Sequence, residues 1–392
     1  MHSFGGITVS KSLPGTPPVL AGYSYVRPLG VGGFADVFLF EQDQPRRAVA
    51  VKVLLQSVVD DDVRRMFNTE ADVMARLSAH PSILTVYDAS VSADGRPYIV
   101  MEHCPGSYAS RYRNETIGVA EVLTVGVKIA SALETAHRAG LLHRDIKPSN
   151  ILTNSFGTPV LADFGIAASL GHSTNSVVND EQLFAMSIPW SAPEVVDKRV
   201  TGSVTSELWS LGATLYTLLA GRSPFEMDGA GRNSSEALAS RIVKAKYVPI
   251  ARPDVPSALE QLLAQSMSRD PAGRPKSMFE FASELQEIQK SLGLVPAALE
   301  TTGDRWSRTT SDVDFNNTTS RGPVISTVPY QSKRLKARQA VIARDTGDET
   351  RLRELYAEPR QSSQLVRLLV LAGVVTLLAV AAIVAAMAIG GM

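Results

Sequence analysis

The run His143-Arg144-Asp145-Ile146-Lys147-Pro148-Ser149-Asn150, followed by Asp163-Phe164-Gly165, constrains this chain more than any other stretch. An Asp held in a tight loop can take a proton from a hydroxyl. Asn150, later in the same loop, can ligate a cation through its side-chain oxygen. Asp163, one hairpin away, can hold that cation against an anion. A bare Asp-Phe-Gly arises often by chance. The octet and the tripeptide together, at this spacing, are highly specific.

Together they resemble the catalytic and metal-binding loops of eukaryotic-like (Hanks-type) serine/threonine protein kinases, and the chain's architecture and tail are similar to those of the bacterial transmembrane members. The resemblance covers roughly residues 21–293 and implies an α+β bilobal fold, with a small β-rich N-lobe and a large helical C-lobe. It implies ATP as phosphate donor and Mg²⁺ (or Mn²⁺) as cofactor. Asp145 is then the expected base, Lys147 neutralises charge on the transferring phosphate, and Asn150 and Asp163 hold the metal. Catalysis of this kind is mostly positioning and charge neutralisation, which suits carboxylate, amide and ammonium groups. Lys147, just after the base, matches serine/threonine rather than tyrosine kinases.

Residues 1–20 read as a loose leader rich in Gly, Pro and Ser. Tyr23 to Phe40 reads as two strands joined by a glycine turn, and Gly30, Gly32 and Gly33 let backbone amides approach a phosphate. The resemblance makes this the phosphate-covering loop, includes Val31 in it, and places Leu29 and Val37 over the adenine. Ala35 stands where the family usually has a third glycine. Ala48 to Leu54 alternates like a strand and carries Lys52. An edge-strand charge is the bland reading of that lysine; the resemblance makes it the phosphate-pairing residue and gives it Glu70 as partner. Glu70 sits on a helix expected from Val58 to Ser78, with Met66, Val73, Met74 and Leu77 on its core face. His80-Pro81-Ser82-Ile83-Leu84 leads into further strands. By resemblance Met101 is the gatekeeper, the backbones of Glu102 and Cys104 meet the adenine edge, and Ala50 and Leu152 complete the nucleotide pocket. Cys104 reads first as a small, semi-buried hydrophobe rather than a reactive thiol.

Ile117 to Gly140 has helical periodicity, with Gly140 as its C-cap. Residues 163–193 frame an activation segment in which Ser173, Thr174 and Ser176 are candidate phosphorylation sites. A phosphate there could pair with Arg144; unmodified loop hydroxyls are the alternative. The resemblance has Ser187 contact Asp145 and Lys147, pairs Glu194 with Arg274, and puts Glu207 where an Asp usually braces the catalytic loop. Met186 stands where a Gly is common. Leu211–Ala220, Ala237–Val243, Ala258–Met267 and Ser277–Ser291 read as helices of the large lobe.

Net charge is zero, so nothing suggests a nucleic-acid partner. One cysteine excludes an internal disulfide and fits a reducing compartment. The N-terminus lacks the apolar core of a signal peptide. Residues 368–389, LLVLAGVVTLLAVAAIVAAMAI, carry no charge and are long enough to span a bilayer; the other reading is a buried core helix. Arg360 and Arg367 precede this run and no charged residue follows it, which predicts a single-pass membrane protein with a cytoplasmic kinase domain. Only residues 390–392 would then lie outside, too few for a ligand-sensing domain. Residues 294–367 read as a Thr-, Ser- and Asn-rich cytoplasmic linker, in which Lys333 to Leu355 is a candidate lipid-facing basic helix. The expected partners are Ser/Thr-bearing proteins, phosphothreonine-binding proteins, the lipid bilayer and a second kinase domain. The leading reading is an active membrane-anchored kinase with autophosphorylation and a signalling role. A pseudokinase scaffold competes, favoured by Ala35, Met186 and Glu207. A small-molecule phosphotransferase is the third reading, disfavoured by Ala192-Pro193-Glu194 and Arg274.

Overall fold

The computed structural model describes residues 15–301, apart from Phe34, Asp60, residues 165–186 and Ala230. Strands β1 (Tyr23–Val31), β2 (Ala35–Asp43), β3 (Arg46–Leu54), β4 (Val86–Val91) and β5 (Pro97–Glu102) form an antiparallel sheet in the order β1-β2-β3-β5-β4. Alternating apolar residues make this sheet. Phe38 and Phe40 of β2 and Val49, Val51 and Val53 of β3 point to one face, where they form a small core with Leu20, Tyr98 and Val100. Helix α1 (Asp61–Leu77) begins later than its sequence suggests, because Gln56–Val58 forms a separate 3-10 turn. One face of α1 is buried, through Phe67, Ala71, Val73, Met74 and Leu77. The Met66 side chain lies outside the described residues.

Residues 15–20, expected to be loose, are held against this lobe. Gly15 donates its amide to Asp36 (2.8 Å), Arg96 donates to the Thr16 carbonyl (2.9 Å), and Leu20 is buried. The leader is short enough in side chains for its backbone to reach these two charged partners, which a composition reading does not see.

The large lobe is helical: α2 (Val119–Arg138), α3 (Val204–Ala220), α4 (Ser235–Lys244), α5 (Ser257–Ser266) and α6 (Met278–Ser291). A small sheet of β6 (Gly106–Ser107), β7 (Ile151–Thr153) and β8 (Pro159–Leu161) lies at its upper edge. Helix α2 ends at Arg138, and Gly140 turns the chain with φ 75°. Helix α3 starts well before the expected Leu211. Ser203 and Ser206 cap it reciprocally, and that extension brings Glu207 into its first turn. α3 is buried on nearly every side, including Trp209, Leu215 and Tyr216. It is the central post of the lobe. The architecture is the bilobal α+β fold that the resemblance implies.

After α6, residues 294–301 pack back on the domain instead of entering a linker, with Leu294, Ala297 and Leu299 against the main core. Among the described residues no helix is long and apolar enough to cross a membrane. Residues 368–389, the rest of the linker and the three candidate phosphorylation sites lie outside the described residues, as does Met186.

Candidate active site

The strand register places the small-lobe residues. Lys52 on β3 stands opposite Val37 on one side and Ile99 on the other, and Ala50 stands opposite Met101. Leu29, Val37, Ala50, Met101, Cys104 and Leu152 come from different strands and both lobes, yet all join the main hydrophobic core. Together they supply the apolar lining that a slot for a flat aromatic base requires. Burial pushes the Cys104 thiol up to about 12, so it is an inert wall of this slot. The glycine turn sits above it. A Cβ on Gly32 would lie 2.6 Å from the Ala35 carbonyl oxygen, so only glycine fits there. Val31 is exposed at the turn rather than packed in the slot.

Lys52 Nζ lies 2.7 Å from Glu70 Oε1 and 3.0 Å from Asp163 Oδ1. One ammonium therefore joins α1 to the segment after β8. Lys52 is buried, which alone would favour its neutral form, but the charges of Asp163 and Glu70 outweigh burial and hold it firmly protonated. The Lys52 charge in turn holds the Asp163 carboxyl below its ordinary value. The lysine is thus a fixed cation with donor capacity aimed between two carboxylates.

The second cluster surrounds Asp145. Ser187 Oγ donates to Asp145 Oδ1 at 2.7 Å and accepts from Lys147 Nζ at 3.0 Å. Lys147 Nζ is 2.8 Å from Asp145 Oδ2, and Asn150 Nδ2 donates to that oxygen at 3.0 Å and to the Asp145 carbonyl at 2.8 Å. The sequence-predicted loop residues are therefore in mutual contact. With Nδ2 so committed, Asn150 presents its oxygen elsewhere, where Ser149 Oγ touches it only at 3.3 Å. Asp163 uses Oδ1 for Lys52 and makes no hydrogen bond through Oδ2 to any described residue. Hard oxygen donors of this kind fit a divalent cation such as Mg²⁺.

Support comes from below. The buried His143 accepts the Asp145 amide at Nδ1 (3.3 Å) and donates from Nε2 to the Ala162 carbonyl (3.0 Å). Acceptance at Nδ1 requires the neutral ring with its proton on Nε2, and burial holds its pKa below the ordinary histidine value. Its ring rests on Phe164, 4.6 Å between centroids. Arg144 and Asp163 both adopt left-handed backbone, φ 66° and 55°. The Arg144 amide donates to Glu207 Oε1 at 2.6 Å.

Glu207 thus makes the contact to the catalytic-loop backbone that the resemblance expects of an Asp, its added methylene notwithstanding. Its other oxygen, Oε2, accepts from His137 Nε2 at 2.6 Å. His137, at the end of α2, was absent from the residues singled out in the sequence. Its one signal is its place in the last turn of the helix that leads into the octet. Farther out, Arg274 meets Glu194 in a buried two-pronged pair at 2.7 and 3.0 Å. Arg274 also donates to the carbonyls of Ser268 and Thr205 and lies over the Trp209 ring. The candidate site thus combines a carboxylate base, two ammonium groups and a pair of hard oxygen donors beside an apolar slot. That set can bind a polyphosphate nucleotide and orient a hydroxyl toward it.

Residues 23–287 match the family model described as protein kinase domain. The chain is 37% identical to serine/threonine-protein kinase PknK of Mycobacterium tuberculosis over 289 residues, 72% of this chain and 25% of PknK. It is 35% identical over 274 residues to serine/threonine-protein kinase PknJ of the same organism, covering 67% of this chain and 45% of PknJ. For serine/threonine-protein kinase PrkC of Bacillus subtilis the figures are 31% over 271 residues, 67% and 40%. The chain spans less than half of the length of each of these curated relatives. From the family match over most of its length, and from a site built of the residues above, the chain belongs to the protein kinase family.

Proposed function

We propose that this chain is a serine/threonine protein kinase that transfers the γ-phosphate of ATP to protein hydroxyls, itself included, and that it is anchored in the cell membrane through residues 368–389 with its kinase domain in the cytoplasm. The observation that carries the enzymatic reading is the closed set of contacts among Asp145, Lys147, Asn150 and Ser187, facing the Lys52–Glu70–Asp163 bridge. ATP is the substrate, and Mg²⁺, when bound by Asn150 and Asp163, supplies charge neutralisation on its phosphates. Lys52 orients the phosphates because Glu70 fixes its ammonium group. Asp145 orients the incoming hydroxyl and accepts its proton at the carboxylate, in the position where Ser187 Oγ now donates. Lys147 offsets the charge that develops on the transferring group. The names of the relatives and the lysine at 147 both favour Ser/Thr over Tyr. The scaffold reading loses one support, since Glu207 still reaches the Arg144 amide.

The test uses the full chain in detergent with Mg²⁺ and labelled ATP, beside Asp145→Asn and Lys52→Met. Label on Ser or Thr from the unaltered chain alone supports the reading. ATP binding without transfer to the chain or to a basic protein substrate favours the scaffold. Alkaline carbonate extraction and protease treatment of intact cells test the anchor: release of the chain, or cleavage within residues 21–293 from outside, would sink it.

A further inference from the structure

The stretch after α6 lies beyond the residues matched by the family model, yet it is bonded to the domain residue by residue. Gly293, with φ 71°, reverses the chain at the end of α6. The Leu294 amide returns to the Gln289 carbonyl (2.9 Å). The Ala297 amide and carbonyl are then held by two side chains of α6, Gln289 Oε1 (2.9 Å) and Gln286 Nε2 (2.7 Å). Leu294, Ala297 and Leu299 face the core while Val295 is exposed. The stretch ends at Glu300. Its carboxylate lies 2.9 Å from Lys128 of α2, and its carbonyl accepts from Ser131 Oγ (2.5 Å) and from His80 Nε2 (2.7 Å).

His80 is the informative partner. Its Nδ1 accepts the Ser82 amide at 3.0 Å, so Nε2 carries the proton that reaches Glu300. Its own amide bonds to the Leu77 carbonyl, the last residue of α1. Ser82 and Leu84, in the same turn, bond to Leu161 at the end of β8. One short turn therefore stands between the helix that carries Glu70 and the strand that leads to Asp163. Both carboxylates on Lys52 are rooted there.

We propose that residues 294–301 form a positioning strap, clasped by the Glu300 carbonyl on His80 and Ser131, that holds the turn between α1 and β4 and through it the Lys52–Glu70–Asp163 contact. The proposal rests on the kinase reading for its effect on activity, but its mechanical part stands apart from it. A strap bonded at both ends limits how far α1 can swing from β8.

The experiment uses the full chain in detergent. Lys128→Met with Gln286→Ala loosens the strap from the domain side. Leu299→Asp loosens it from the strap side. Val295→Ala is the control. Hydrogen exchange is read at 294–301, at the turn 78–84 and along α1, and kcat and KM for ATP are measured in parallel. Both loosened forms should exchange faster at the strap, then at the turn and α1, and lose about fivefold in kcat/KM for ATP, with Val295→Ala unchanged. The loss should vanish in a Glu70→Ala background, because both changes act through Lys52. The proposal is overturned if the strap opens while kcat/KM and α1 exchange stay as they were, or if the loss multiplies with that of Glu70→Ala. Failure of these substitutions to open the strap, or strap amides unprotected in the unaltered chain, also overturns it. Absence of phosphate transfer from the unaltered chain would remove the kinase reading alone; the exchange link from strap to α1 would then decide.

Discussion

Two glutamates brace the candidate site, and they are built differently. Glu207 sits in α3, a helix buried on nearly all sides, with both carboxylate oxygens used, one on the Arg144 amide and one on His137. Glu70 sits on α1, which buries one face only, and among the described residues it uses a single oxygen, on Lys52. The first joins two elements of one packed lobe. The second joins a helix of the small lobe to a strand lysine and, through it, to Asp163. Dense packing makes the floor under Asp145 rigid. The Lys52 side depends on a few polar contacts and can open at lower cost.

Substitutions can break that contrast. The largest kinetic effect should come from Asp145→Asn, which removes the proton acceptor and should cost about 10²–10⁴-fold in kcat with little change in Tm. Arg274→Met should cost stability, about 3–5 kcal/mol, because Glu194 is left buried and unpaired; chemical denaturation measures it. Glu207→Ala strands the Arg144 amide and the His137 ring, and should cost about 2–4 kcal/mol together with kcat. Glu70→Ala should lower kcat/KM for ATP by at least about tenfold yet cost only about 1–2 kcal/mol, because Lys52 keeps Asp163 as a partner. Equal losses of stability at Glu70 and Glu207 would end the contrast drawn above. The remaining effect is a pH slope. His143 and His80 are held below the ordinary histidine pKa chiefly by burial, so the unfolded chain takes up their protons first. Their stabilisation is complete above about pH 6.5 and declines as pH falls below it, by about 1.4 kcal/mol per pH unit for each proton taken up. A flat stability curve from pH 7 to 5.5, or titration of the His143 ring across that range by NMR, would contradict this.

Legibility in the sequence followed the range of the interaction. The loop residues Asp145, Lys147 and Asn150 are neighbours in the chain, and their spacing carries their geometry. Lys52 with Glu70 and Glu194 with Arg274 are distant pairs, readable only because a family resemblance pointed to them. His137 has no such marker; its role depends on how far a glutamate side chain reaches across from α3. The strap was hidden for another reason. Its ties run largely through backbone atoms of Leu294, Ala297 and Glu300, and backbone groups have no sequence signature. The start of α3 was misjudged because its cap is a Ser-Ser pair, whose reciprocal bonds resemble those of any polar turn.

The left-handed backbone at Arg144 and Asp163 has a further consequence, for how such a chain can be improved. Each is a non-glycine residue in a conformation that glycine adopts freely, a misfit of roughly 1–2 kcal/mol at each position. At Asp163 glycine would also remove one of the two carboxylates that hold Lys52, so relief of the backbone is offset there by a lost ion pair. Lys198 and Ala245 share the left-handed backbone outside the residues of the candidate site, so a search for robust variants gains from glycine there first, and from the catalytic loop only at a cost to activity.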